Sequence, residues 1–186
     1  MHRIAITGYI GYERTARLLE QNREDLEQRF SRTFLTQCEQ LAHRGTQQER
    51  FSEEYLLYTA PIGEGGLFGT LWQACEELEQ RTGTVPVGCR VRIRDIPIRQ
   101  EVIEILELFH ENPYETPSPG ARLLIWKDDL PDAIHDQMHR LAIIGYLTHD
   151  RKRLLLSDDT ERFLTPKKRQ RKDMEQRKQQ KMTGAF

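Results

Sequence analysis

Pro61-Ile62-Gly63-Glu64-Gly65-Gly66 runs straight into Leu67, Leu71, Trp72, Cys75 and Leu78, an apolar set at helical spacing. Glycines ahead of a helix let its first turn approach a neighbour closely. The unpaired N–H groups there, at the positive end of the helix dipole, suit a phosphate or a carboxylate. A second reading is equally physical: a tight turn whose glycines let the helix pack against a strand. The motif is not a P-loop, because no Gly-Lys-Ser/Thr follows, and it lacks the G-x-G-x-x-G spacing of a dinucleotide fold. Glu64 stands where it can answer the dipole itself and compete with an anion.

Working outward, the next unusual run is IPIRQEVIEILELFHENPYE, residues 96–115. Pro97 opens it. Val102, Ile105, Leu106 and Phe109 then line one helical face, with Glu101, Glu104 and Glu107 on the others. Arg99 near its start is a candidate anion contact, since a planar guanidinium suits phosphate; the alternative is a salt bridge to Glu101 or Glu104. Asn112 precedes Pro113, and Pro113, Pro117 and Pro119 make a rigid loop before the apolar strand 121–126.

Upstream, residues 3–9 read as a strand, and Gly8 and Gly11 turn it into a long helical region carrying Ala16, Leu19, Leu26 and Phe30. Ser31 is an N-cap for a further helix with Phe34, Leu35, Cys38 and Leu41, ended by Gly45. A polar loop spans 45–53, and residues 55–59 form a short strand. The glycine-led helix runs to about Arg81 and closes at Gly83. Residues 85–93, VPVGCRVRI, alternate as a strand. Pro131 starts a helix reaching about Leu141. Residues 143–148 and 153–156 are predicted to pair around the turn Asp150-Arg151-Lys152, and the body ends near Leu164. Strands and helices alternate, so the chain is an α/β (α+β) protein, a layered body with a mixed sheet.

Composition limits the function classes. The 186 residues are 37% hydrophobic and 31% charged, a count that fits one domain, 1–166, and a basic tail, 167–186. No apolar run approaches the length of about 18 residues that crosses a membrane, and the first residues have no secretory apolar segment, so the cytoplasm is expected. Cys38, Cys75 and Cys89 fit neither a disulfide framework nor a zinc site; Cys75 reads as a small core residue. His135 and His139 share a predicted helix face without a third ligand. No Ser-His-Asp set carries a local motif.

Residues 167–181 hold eight Lys/Arg and two acids, a charge of +6 that leaves −7 for the rest of a chain whose net charge is −1. Such a stretch attracts nucleic acid or an acidic partner, through phosphates and with steep salt dependence. It has no aromatic residue before Phe186, which argues against base stacking within it.

Four segments together resemble the C-terminal domain of the aminoimidazole-ribonucleotide (AIR) synthetase superfamily. The group includes thiamine-monophosphate kinase, selenophosphate synthetase and the hydrogenase-maturation dehydratase; the nearest likeness is to AIR synthase-related, hydrogenase-maturation-factor-like proteins. ITGYIGYERTARLLEQNREDLEQRF (6–30) resembles the entry strand, glycine turn and first helix. IGEGGLFGTLWQACEE (62–77) resembles the glycine-rich turn and helix. Residues 96–115 followed by SPGARLLI (118–125) resemble the later helix, Asn/Asp-Pro turn and strand. IIGYLTHDRKRLLLSDDTERFLTP (143–166) resembles the closing strands.

The resemblance implies a three-layer α/β unit with a mixed sheet, whose glycine-rich turn faces phosphates or substrate. It implies ATP-dependent chemistry through phosphorylated intermediates, with nucleotide, Mg²⁺ and the main dimer interface on an N-terminal domain. This chain departs from the pattern in three respects. It is expected to lack that N-terminal domain. Pro61 and Gly63 stand where many relatives carry an Asp-x-Thr, which removes a carboxylate and a hydroxyl. It is expected to lack the family's terminal cysteine, since its last residues read Met-Thr-Gly-Ala-Phe.

Two functions are therefore expected side by side. One is a stand-alone phosphate-ligand-binding or protein-assembly module, using Glu64, Gly65, Gly66, Arg99 and Asn112, with no catalytic residue, cofactor or metal of its own. The other is a subunit of a split ATP-dependent enzyme, with ATP and Mg²⁺ supplied through a separate chain. A third class, an accessory RNA-binding protein acting through the basic tail, follows from charge. A homodimer or a hetero-partner is expected to cover the surface left by the missing domain.

Overall fold

The computed structural model describes residues 1–44, 53–83, 85–128, 138 and 141–165. Among the described residues seven strands form one mixed sheet: β1 (His2–Thr7), β2 (Leu56–Ile62), β3 (Gly88–Arg92), β4 (Ser118–Lys127), β5 (Ala142–Thr148), β6 (Arg153–Leu156) and β7 (Glu161–Phe163). Among the described residues five α-helices are interspersed: α1 (Tyr12–Gln21), α2 (Arg23–Arg29), α3 (Arg32–Arg44), α4 (Gly66–Thr82) and α5 (Gln100–Leu108). The sheet order is β2-β4-β1-β5-β3-β6-β7. Every neighbouring pair is antiparallel except β3 and β6, which run parallel.

Strand alternation explains why the sheet is buried on both faces. Ile4, Ile6, Leu123 and Ile125 point to one side, where Leu67, Leu71, Ala74 and Cys75 of α4 meet them. Ala5, Leu124 and Trp126 point to the other and join Met138 and Leu141. A third cluster, made by α1, α2, α3 and α5, buries Leu18, Leu19, Leu26, Leu35, Val102, Ile105 and Leu106. Cys75 is buried among apolar neighbours.

Local signals mark the helix ends well. The Ser31 hydroxyl accepts from Phe34 N–H at 3.2 Å, so the N-cap of α3 is where the sequence puts it. Gly83, with φ 72°, follows the last turn of α4 and donates its N–H to Glu79.

Four expectations are corrected. Residues 12–30 are two helices, not one. At Asn22 both the backbone N–H and the side-chain amide donate to the Leu18 carbonyl at 3.0 Å, which ends α1 before α2 restarts; a short amide side chain competes with the helical ladder in this way. The strand expected over 85–93 is confined to Gly88–Arg92. Pro119 lies inside β4, which begins at Ser118, rather than in a loop.

Most consequentially, β5 and β6 do not pair. β3 lies between them, antiparallel to β5 and parallel to β6. The connecting turn instead closes over the start of β3: Cys89 N–H donates to Lys152 O at 3.0 Å. A Cβ at Gly88 would lie 2.3 Å from Lys152 O and 2.4 Å from Asp150 O, so glycine is what lets that turn sit there. The polar loop 45–52, His135, His139, the helix expected from Pro131 (but for Met138 and Leu141) and the basic tail lie outside the described residues.

Candidate functional site

The glycine turn approaches another backbone, and that backbone belongs to this chain. Gly65 and Gly66 have φ of 78° and 63°, the left-handed region that favours glycine. A Cβ on Gly66 would lie 2.4 Å from Glu115 C and 2.6 Å from Glu115 Cα and Thr116 N. The start of α4 is thus seated on the 3-10 turn Pro113–Glu115. Phe68 stacks on Tyr114, with ring centroids 5.3 Å apart and planes 11° from parallel. The loop also closes on itself: Gly66 N–H donates to Gly63 O at 3.0 Å, Gly63 N–H donates to Thr70 Oγ1 at 3.3 Å, and the Thr70 hydroxyl donates to Gly66 O at 2.9 Å.

Asn112 belongs to the same contact. Its Oδ1 accepts from Tyr114 N–H at 3.1 Å, capping the 3-10 turn that Gly66 rests on. Gly66 and Asn112 are therefore brought together as two sides of one packing joint. Glu64 is exposed at its rim. Arg162 of β7 reaches the other end of the stack, its guanidinium carbon 6.0 Å from the Phe68 ring centroid. Burial pushes the Tyr114 phenol above its ordinary range, and the Arg162 charge opposes that.

Arg99 sits elsewhere, at the N-cap of α5, with the turn between β1 and α1. Its guanidinium lies 5.0 Å from the Tyr9 ring centroid, and Nη2 donates to the Tyr9 hydroxyl at 3.4 Å. Tyr12, 5.5 Å from Tyr9 ring to ring, accepts a further hydrogen bond from Arg99. That bond raises the guanidinium's pKa; burial raises that of the Tyr12 phenol. The salt bridge considered for Arg99 with Glu101 or Glu104 does not form; Gln100 Nε2 donates to Glu104 instead, at 3.1 Å. An aromatic face 90 positions away in the chain outcompetes a carboxylate on its own helix, because α5 starts against the 8–11 turn. Ile10 N–H donates to Pro97 O at 3.2 Å, and a Cβ on Gly11 would lie 2.5 Å from Val102 Cγ1.

Sequence reasoning misses Tyr9 and Tyr12, although the doubled Gly-Tyr of Gly8-Tyr9-Ile10-Gly11-Tyr12 is a visible signal. Around them the polar groups are used structurally. Gly11 N–H donates to Ser118 Oγ at 2.8 Å, Gly120 N–H donates to Glu13 Oε1 at 2.7 Å, and Arg14 pairs with Glu111. Among the described residues no group of three or more His, Cys, Asp or Glu side chains could hold a metal ion. What is exposed here is one planar cation, Arg99, lying on one ring and hydroxyl, Tyr9, with Tyr12 buried beneath them.

No family model matches the sequence, and no curated protein does. Solved structures do match. Hydrogenase maturation protein HypE of E. coli aligns over 90% of this chain and 50% of its own, with a TM-score of 0.60 and 13% identity. The chain has the fold of about half of HypE. HypE in a HypE–HypF complex aligns over 89% of this chain and 53% of its own (TM-score 0.57, 16% identity). Thiamine-monophosphate kinase from Stenotrophomonas maltophilia K279a aligns over 84% and 50% (TM-score 0.53, 16% identity). The likeness to AIR synthase-related proteins holds for the fold, and the chain spans about half the length of the structures it matches. No described helix is long and apolar enough to cross a membrane.

Proposed function

We propose that this chain is a protein-assembly module with the fold of about half of HypE, acting in the cytoplasm and recognising its partner through Tyr9 and Arg99. The observation that carries this reading is the exposed Arg99 guanidinium held on the exposed Tyr9 ring. Tyr and Arg are the residue types that dominate binding energy at interfaces, and here the cation is already oriented, which lowers the ordering cost of docking. The glycine turn supports the same reading from the other direction. Gly66 is packed on the Glu115–Thr116 backbone, and Asn112 caps that backbone, so a phosphate-binding role for Gly65, Gly66 and Asn112 is the weaker form of the module. HypE itself occurs in a complex with HypF; for this chain the partner is a second copy or another protein.

The test is partner capture by cross-linking and sedimentation with the full chain, comparing Tyr9→Ala and Arg99→Ala with the parent. Both substitutions are expected to weaken association by about 1–3 kcal/mol without lowering thermal stability. Unchanged association in both variants overturns the assigned surface. A second reading, a subunit of a split ATP-dependent enzyme, is favoured by the kinase among the fold neighbours. It predicts Mg²⁺-dependent ATP hydrolysis that needs a separately supplied nucleotide-binding polypeptide and is lost in Arg99→Ala. Turnover by this chain alone contradicts both readings.

A further inference from the structure

Cys75 of α4 and Cys89 of β3 come from elements that meet only across the folded sheet. Cys89 and Arg153 are register partners on the parallel strands β3 and β6. Val91 and Leu155, two positions further along each strand, pack in the α4 cluster, so Cys89 and Arg153 face α4 as well. Against them, Trp72, Cys75, Glu76 and Glu79 form one stripe of the helix, at i, i+3, i+4 and i+7. Arg153 is held by three members of that stripe. Its guanidinium carbon is 4.0 Å from the Trp72 ring centroid, and its terminal nitrogens are 3.9 Å from Glu76 and 3.8 Å from Glu79. Cys75 is the fourth member, and its sulfur accepts a hydrogen bond from the Cys89 thiol.

Two free thiols therefore touch in the core, at 1% and 0% exposure, with a cation beside them whose Nη1 has no hydrogen-bond partner. The bond from Cys89 lowers the Cys75 thiol from its ordinary value, burial opposes this, and the Arg153 charge lowers it further. Cys89 is pushed up, first by donating that bond and then by burial. The two are thus unequal: one sulfur is suited to attack and the other to follow. Cys38 lies apart, in the cluster of α1, α2, α3 and α5.

We infer that Cys75 and Cys89 are a reversible oxidation site, closing to a disulfide that ties α4 to β3 on exposure to hydrogen peroxide. The Cys75 thiolate attacks one peroxide oxygen, the O–O bond breaks, and the departing hydroxide takes up a proton as water, leaving Cys75 as a sulfenic acid. The Cys89 sulfur then attacks the Cys75 sulfur. The S–O bond breaks, and the oxygen leaves as a second water with the Cys89 proton. Two thiols are oxidised and one peroxide is reduced to two waters. Arg153 acts as a positioning residue that steadies the thiolate. Glu76 and Glu79 are 50% and 31% exposed, so flexible side chains stand on the solvent side of the pair. Peroxide is little larger than water and passes where a bulky alkylating reagent does not. The site is separate from Tyr9 and Arg99 and does not depend on the assembly reading.

Peroxide treatment of the reduced full chain, followed by alkylation in denaturant and non-reducing peptide mass spectrometry, tests it. The expected product is a peptide pair joined through Cys75 and Cys89 within one chain, with Cys38 alkylated and the bond reversed by dithiothreitol. Cys89→Ala should let a dimedone adduct accumulate on Cys75. The oxidised chain should have an unfolding constant about 100-fold lower in urea, from closing the loop between the two residues. Arg153→Met retains both thiols and is expected to slow formation of the bond about tenfold, which a purely structural arginine would not do. The inference is overturned if peroxide leaves both thiols free, if Cys75 goes to the sulfinic acid without bonding Cys89, or if the bond formed joins Cys38 or two chains. An unchanged rate in Arg153→Met overturns the part given to Arg153.

Discussion

Replacing Gly66 by Ala asks whether the glycine turn serves the fold or a ligand. Two costs follow from the geometry. The residue has φ 63°, a conformation that costs an L side chain about 1–2 kcal/mol. Its new Cβ would also stand 2.4–2.6 Å from three backbone atoms of Glu115 and Thr116. Backbone cannot swing aside as a flexible side chain does, so the Pro113–Glu115 turn must lift off α4; overpacking of this kind costs about 1–3 kcal/mol. The expected loss of unfolding free energy is about 2–5 kcal/mol. Two neighbours provide the scale. Gly65→Ala shares the backbone strain, with φ 78°, but its Cβ meets only Gly69, Cα at 3.3 Å, so about 1–2 kcal/mol is expected. Gly63→Ala has nothing within 4 Å and should stay within about 0.5 kcal/mol of the parent. Urea unfolding followed by far-UV circular dichroism reads all three. If Gly66→Ala unfolds at the same urea concentration as Gly63→Ala, the packing account is wrong and the glycines must be explained by a ligand.

Further expectations can be measured alongside. Arg153 is a buried cation, its guanidinium carbon 4.0 Å from the Trp72 ring centroid, with Glu76 and Glu79 at 3.9 and 3.8 Å and no hydrogen-bond partner for Nη1. Arg153→Met should therefore be neutral or stabilising, whereas removing both Glu76 and Glu79 should cost about 3 kcal/mol by stranding the charge; a large loss in Arg153→Met refutes this. Asp150 is held below the ordinary carboxyl value of 3.8, first by the Lys152 N–H and then by the Thr148 hydroxyl and Arg90. A depressed folded value contributes stability that is present above the unfolded pKa and lost as pH falls through the folded one. Asp150→Asn should flatten the acid limb of urea stability below about pH 4, and an unaltered limb excludes the linkage. Burial pushes the Cys38 thiol up to about 12, and Cys75 and Cys89 are also buried. A thiol reagent near about pH 8 should label none of the three cysteines until denaturant is added; fast labelling of the native protein contradicts the burial.

Much of the local structure is legible in the sequence because local forces make it. Ser31 announces α3 through an oxygen that can reach a free N–H three residues on. Gly83 stops α4 because it tolerates a positive φ. The four segments that resemble AIR synthase-related proteins lead to the right fold, which the structural neighbours bear out at only 13–16% identity. The candidate site is legible only in part. Gly66 and Asn112 stand out as special, yet what lies across from each is the other's turn, a meeting of residues about fifty positions apart that no spacing rule encodes. Arg99 stands out for its chemistry, but its partners Tyr9 and Tyr12 come from the opposite half of the chain.

Periodicity, caps and glycine placement decide elements, since they act within a turn or two of chain, and they establish here an α/β alternation, an acidic body and a basic stretch. Which strand neighbours which is a long-range choice. Residues 143–148 and 153–156 look like partners because a short polar turn joins them; β3 comes between them because Gly88 leaves room for that turn to close over its end. The same insertion sets Arg90 between Tyr146 and Leu154 and places Phe163 at an open edge. Residue chemistry is written along the chain, and surface chemistry arises only when the sheet chooses its order.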